Sequence, residues 1–195
     1  KKGVVIDRLL DSLILTEGVK TDDLVLGDKN AVMVAARVLA YGPEYQCEVT
    51  DPTTGKVITH TFNLAECPFK TTEGDVSENK FEVTLPVSKQ KVSFKLLTGK
   101  EERIIEEELK NLRKVGSEVT PELTTRLRHT IVSIDGDDTQ TLKNEFVQNM
   151  LSRDSLFLRG EISKVSPDIE LQQEIEIGGE VVKVDIPMTT NFFWP

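Results

Sequence analysis

The sequence of 195 residues predicts an α+β fold, and three observations carry that reading. The hydrophobic period switches between helical spacing and strict alternation along the chain. Each of three alternating stretches turns back on itself around turn-forming residues, as hairpins do. The elements run helices, strands, helices, strands, without the regular βαβ alternation of a parallel sheet.

The first element is a short helix over Val4 to Ile14, with Val5, Ile6, Leu9, Leu10 and Leu13 on one face. After the breaker Thr16-Glu17-Gly18, Asp28 is expected to cap a second helix that runs to Tyr41. Ala31, Val34, Ala35 and Val38 recur there at helical spacing, and Gly42-Pro43 ends it. Tyr45, Cys47 and Val49 then alternate with polar residues, Asp51 to Gly55 supply a turn, and Val57 to Phe62 return. A second hairpin pairs Phe81, Val83 and Leu85 with Val92, Phe94 and Leu96.

Helical spacing resumes at Thr98-Gly99-Lys100-Glu101, a capping-box pattern, and places Ile105, Leu109 and Leu112 on one face up to Val115, before Gly116. Thr120-Pro121-Glu122 opens another helix, read as continuing through Leu123, Leu127, Ile131 and Ile134. The β-branched run Thr130-Ile131-Val132 offers a strand as the alternative. After the loop at Asp135 to Asp138, a helix from Thr139 to Leu151 stacks Leu142, Phe146 and Met150. A kink at Ser152 to Asp154 is expected before Leu156 to Val165, and Ser166-Pro167 stops the helix. The last hairpin runs from Ile169 to Ile186 around Gly178-Gly179, a pair suited to a tight turn with positive φ. Three segments follow: 1–97, holding the N-terminal helices and two hairpins; 98–165, helical; and 166–195, a hairpin and tail expected to pack with 1–97.

Composition bounds the function. The chain is 38% hydrophobic and 29% charged, as soluble globular proteins are. It has 24 basic and 33 acidic residues, a net charge of −9, against the basic footprint of a general nucleic-acid binder. No apolar run approaches the length that spans a bilayer. Asp7 falls too early for a secretory signal. Two cysteines, Cys47 and Cys67, make no disulfide framework; the sequence leaves a single bridge between them open, and buried free thiols in a reducing cytosol are the favoured reading.

Catalytic and metal-binding patterns are sparse. Neither a phosphate-binding glycine loop nor a nucleophile elbow is present. Cys47, His60 and Cys67 could supply zinc ligands, but at no standard spacing. The loop from Asp135 fails as a calcium site, with Gln140 where glycine is needed and Phe146 where glutamate is needed. Glu101, Glu102, Glu106, Glu107 and Glu108 read as a solvated helix face near the positive end of a helix dipole.

The ending, Phe192-Phe193-Trp194-Pro195, is unusual. Termini fray unless something holds them, and large aromatics left in water invite contact. The tail therefore either folds back onto its own domain or docks on a partner.

Several segments resemble the T-even-type phage baseplate hub family. They are Leu15-Thr16-Glu17-Gly18, Ala36 to Tyr45, Phe94 to Glu101, Ser166 to Ile169 and Ile186 to Pro195, in order from about residue 10 to the end, with Phe-Phe-Trp-Pro the most specific. Relatives of this kind can carry paired cysteines in the hairpins. This chain has none there, so metal binding is not carried over. The resemblance implies a non-enzymatic baseplate protein, either a hub-associated structural subunit or an assembly chaperone, with no cofactor. Its partners would be baseplate or hub proteins, with no nucleic acid and no membrane. Its places would be the host cytoplasm during assembly or the virion tail. The expected contact residues are Phe192, Phe193, Trp194 and Pro195, then Tyr41 and Tyr45, together with the exposed hairpin edges. A metal-binding or enzymatic module and an inhibitor of a host factor are the rival readings.

Overall fold

The computed structural model describes residues 2–73, 78–114, 121–188 and 192–193, without the side chains of residues 2–6. Its helices and small antiparallel sheets make an α+β protein, in two compact units. Unit 1 comprises Lys1–Leu15, Gly27–Lys70 and Pro167–Pro195; unit 2 comprises Thr16–Leu26 and Thr71–Ser166.

Unit 1 holds two helices, α1 (Lys2–Leu13) and α2 (Leu26–Tyr41), the latter entering from the end of unit 2. Asp28 lies inside the first turn of α2 rather than at its cap, where a carboxylate still meets the positive end of the dipole. The beginning of α2 is set by packing. Gly27 is buried, and a Cβ there would stand 1.7 Å from the Pro167 carbonyl oxygen, so only glycine lets the helix approach that backbone. Gly42, at φ 86°, closes the helix by donating its N–H to the Val38 carbonyl, the usual use of glycine just past a C-terminus.

Two hairpins complete unit 1. Strands β1 (Glu44–Thr50) and β2 (Val57–Asn63) pair in unbroken antiparallel register, Tyr45 opposite Phe62 and Val49 opposite Ile58. Their turn is held by Asp51, whose carboxylate accepts from the Thr53 N–H at 2.8 Å and from the Thr54 hydroxyl. In the other hairpin of this unit, β6 (Gln172–Ile177) pairs with β7 (Glu180–Asp185). Gly178 and Gly179 both take positive φ, 62° and 89°, the conformation expected for a two-residue hairpin loop. Val34, Tyr45, Val49, Phe62, Ile175, Val184, Phe192 and Phe193 belong to one buried cluster.

Unit 2 centres on a three-stranded sheet of order β3-β4-β5: β3 (Phe81–Thr84), β4 (Lys91–Phe94) and β5 (Ile131–Ile134). Around it stand α3 (Gly99–Lys114), α4 (Glu122–Thr130), α5 (Gln140–Asn149) and α6 (Ser152–Val165). The helix expected across Ile131 and Ile134 ends at Thr130. Beyond it the β-branched residues pair with β4, Val92 opposite Ile134, because a pleated surface suits them better than a helix. The kink expected at Ser152 is a break between two helices at Met150-Leu151. Leu85, Val92, Phe94, Leu127, Ile131, Ile134, Val147 and Leu158 form the core. The expected stops and starts at Val115, Gly116 and Thr120 lie outside the described residues.

The units do not follow the segments read from the sequence. The second hairpin belongs with the helical middle segment, because its β4 pairs with β5. Residues 16–26 belong there too. Val25 bridges Thr98, the Gly99 N–H donates to the Leu24 carbonyl at 3.0 Å, and Arg103 pairs with Asp22.

Candidate functional site

The described candidate contact residues, Tyr41, Tyr45, Phe192 and Phe193, converge where α2 runs into β1. Tyr45 begins the inward-facing alternation of β1 and is 2% exposed. Its ring meets Phe192 edge-on at 5.0 Å between centroids, and Phe192 meets Phe193 in the same way at 5.1 Å. Such edge-to-face pairs place the positive rim of one ring on the negative face of the next. The Tyr45 hydroxyl donates to the Pro187 carbonyl oxygen at 2.9 Å, tying strand to tail.

The sequence reading did not single out Arg37, which completes this cluster. It lies four residues before Tyr41 on α2, and its guanidinium stands 4.7 Å from the Tyr41 ring centre and 5.7 Å from that of Tyr45. It donates to the carbonyls of Gly42 and Glu44 at 3.3 and 3.4 Å, long bonds at the negative end of the helix. Its Nε is buried with no hydrogen-bond partner among the described residues. The Arg-x-x-x-Tyr-Gly spacing held the signal: an i, i+4 pair in a last turn stacks cation on ring, and glycine turns the carbonyls toward it.

Of the six residues expected to meet a partner, Tyr45, Phe192 and Phe193 face the interior of their own unit. Burying them there satisfies the hydrophobic drive that would otherwise seek a partner. Tyr41 is 52% exposed. Trp194 and Pro195 lie outside the described residues.

The cysteines and histidines do not gather. Cys47 stands opposite His60 in the hairpin register, while Cys67 accepts from Gln173 Nε2 at 3.3 Å. Both thiols are free, and burial pushes the pKa of each up, favouring the unreactive protonated form. Among the described residues, no three His, Cys, Asp or Glu side chains come together as a metal ligand set.

The acidic cluster of α3 is less solvated than expected. Glu101 accepts from Lys95 at 2.6 Å and from the Thr98 N–H at 2.9 Å. Burial raises its pKa, but the Lys95 and Thr98 hydrogen bonds and the Lys95 charge outweigh that and hold it at about 2. Glu102 pairs with Arg126 at 2.6 Å, and Glu108 meets Arg128 and His129. Glu106 and Glu107 face solvent.

Taken together, these features define an α+β protein whose aromatic cluster closes its own core. The chain belongs to the T4 bacteriophage base plate protein family, whose sequence profile matches residues 2–194. Neither the comparison with curated proteins nor that with solved structures gave a match. No helix among the described residues is long and apolar enough to cross a membrane.

Proposed function

We propose that this baseplate protein acts in assembly of the baseplate hub, as a hub-associated structural subunit or as an assembly chaperone, through protein contacts and without catalysis. The match of residues 2–194 to a baseplate family carries the reading. Such a family works among other baseplate proteins, so the partners are baseplate or hub proteins, met in the host cytoplasm or in the virion tail. The small sheets, whose edges are unpaired among the described residues, suit work done by surfaces.

Mass spectrometry of purified virions, paired with a pull-down from infected-cell lysate, tests it. A fixed copy number relative to tail proteins makes the chain a structural subunit. Absence from virions with capture of a hub protein makes it a chaperone. Failure to find it with any tail protein overturns the proposal.

A further inference from the structure

The outer edge of β2 is an open place for a strand. Two backbone hydrogen bonds, one at each end of the ladder, fix which way its backbone points. The Asp51 N–H donates to the Lys56 carbonyl and the Leu64 N–H to the Pro43 carbonyl, both at 2.8 Å. Bonded and non-bonded pairs alternate in an antiparallel ladder, so Ile58, His60 and Phe62 bond toward β1. The N–H and C=O groups of Val57, Thr59 and Thr61 therefore point away from β1. Among the described residues the sheet holds only β1 and β2, and these groups have no hydrogen-bond partner. The next outward residue, Asn63, differs, because its carbonyl faces the Cys67 thiol at 4.0 Å.

Sheet edges are normally guarded by charge, proline, a bulge or a cover. Strand β2 reads Val57-Ile58-Thr59-His60-Thr61-Phe62-Asn63, without Asp, Glu, Lys, Arg or Pro, and its register has no shift. Val57, Thr59 and Thr61 are exposed, Val57 at 61%. The other strands differ. Glu44 and Glu48 lie in β1, Glu82 in β3, Lys91 in β4, Glu174 and Glu176 in β6, and Glu180, Lys183 and Asp185 in β7. Strand β5 is also uncharged, but it is four residues long and both its ends are buried.

Charge selects the occupant. The exposed face of β2 is shared with Glu48, opposite Thr59, and with Glu44, opposite Asn63. Neither carboxylate has an ion pair among the described residues. Strands lie about 4.8 Å apart, so a lysine on an added strand stands about 10 Å from Glu48, across the short Thr59. The two side chains span that distance together. A second copy of this chain, with its net charge of −9, brings no such complement.

We propose that the β2 edge at Val57, Thr59 and Thr61 receives an extended segment of another protein, with lysine or arginine alternating on its exposed face. The inference rests on the proposed role through protein contacts, and adds the element used and the chemistry it recognises.

Hydrogen exchange on the full chain tests it, with a short peptide alternating lysine with valine and a matching glutamate–valine peptide as probes. The lysine peptide should slow exchange at Val57, Thr59 and Thr61 by about tenfold or more. The glutamate peptide should not. Thr59→Pro should abolish the protection, since the lost N–H bonds nothing within the hairpin. Glu48→Lys, which leaves the backbone alone, should weaken protection by the lysine peptide and serves if the proline variant does not fold. Protection absent, equal for both peptides, or insensitive to Glu48→Lys overturns the inference. Concentration-dependent protection of the same amides without peptide assigns the edge to a second copy and overturns it as well. The pull-down of hub proteins can still succeed in each of those cases, so the two proposals fail separately.

Discussion

Arg37 and Gly27 show how much one residue decides in this chain. Arg37 takes a cation into unit 1 where no carboxylate answers it among the described residues. Two tyrosine rings and the carbonyls of Gly42 and Glu44 hold it instead. At Gly27 the constraint is space alone. Gly27→Ala drives a methyl group into the Pro167 carbonyl, so α2 or the backbone at Pro167 and Asp168 must shift. The variant should lose about 1 to 3 kcal/mol in a urea titration, although alanine is the better helix former. An unchanged midpoint would mean that the contact yields freely. Neither residue announced its burial in the sequence, because a mid-chain glycine at a helix start reads as a breaker and an arginine reads as surface.

At the scale of elements, local patterns were legible wherever they were self-contained. The Gly178-Gly179 turn and the Asp51 to Gly55 turn bend through their own residues, and both hairpins stand where the alternation put them. Strand β5 is ambiguous in the sequence, because Ile131 and Ile134 fit a helical period while the β-branched run suits a strand, and only the partner strand decides between the two. The capping pattern at Thr98 formed in part: Glu101 takes the Thr98 N–H, while the Thr98 hydroxyl turns to the same carboxylate instead of the backbone. That geometry gives a pH dependence. The folded pKa of Glu101, about 2, lies below its ordinary 4.5. Its contribution to stability is therefore fully present above pH 4.5 and is lost as the pH falls toward 2. Glu101→Gln keeps an acceptor for the Thr98 amide but carries no charge. Denaturant midpoints measured down that pH range should fall more steeply for the native chain than for the variant. Parallel curves would rule Glu101 out as the source.

For the whole molecule, the decisive feature is that the chain builds two cores from interleaved segments. The C-terminal tail serves unit 1, together with α2 and the first hairpin, while the second hairpin serves unit 2. Composition and periodicity report neither pairing, since both depend on segments far apart in sequence. The same dependence explains why the aromatic tail drew attention as a contact site. A run of Phe192-Phe193-Trp194 looks alike whether it awaits a partner or closes its own core. Phe192 is fully buried in the unit 1 cluster. Phe192→Ala should therefore lower stability by about 3 to 5 kcal/mol, as large-to-small changes in a packed core do. The clusters of the two units have no residue in common, so the loss should appear first in unit 1. Hydrogen exchange should quicken in the amides of β1, β2, β6 and β7 before those of β4 and β5. Equal quickening in both sets would show that the two cores unfold as one. A variant of native stability that loses its baseplate partner would show that Phe192 acts on a partner and not on its own core.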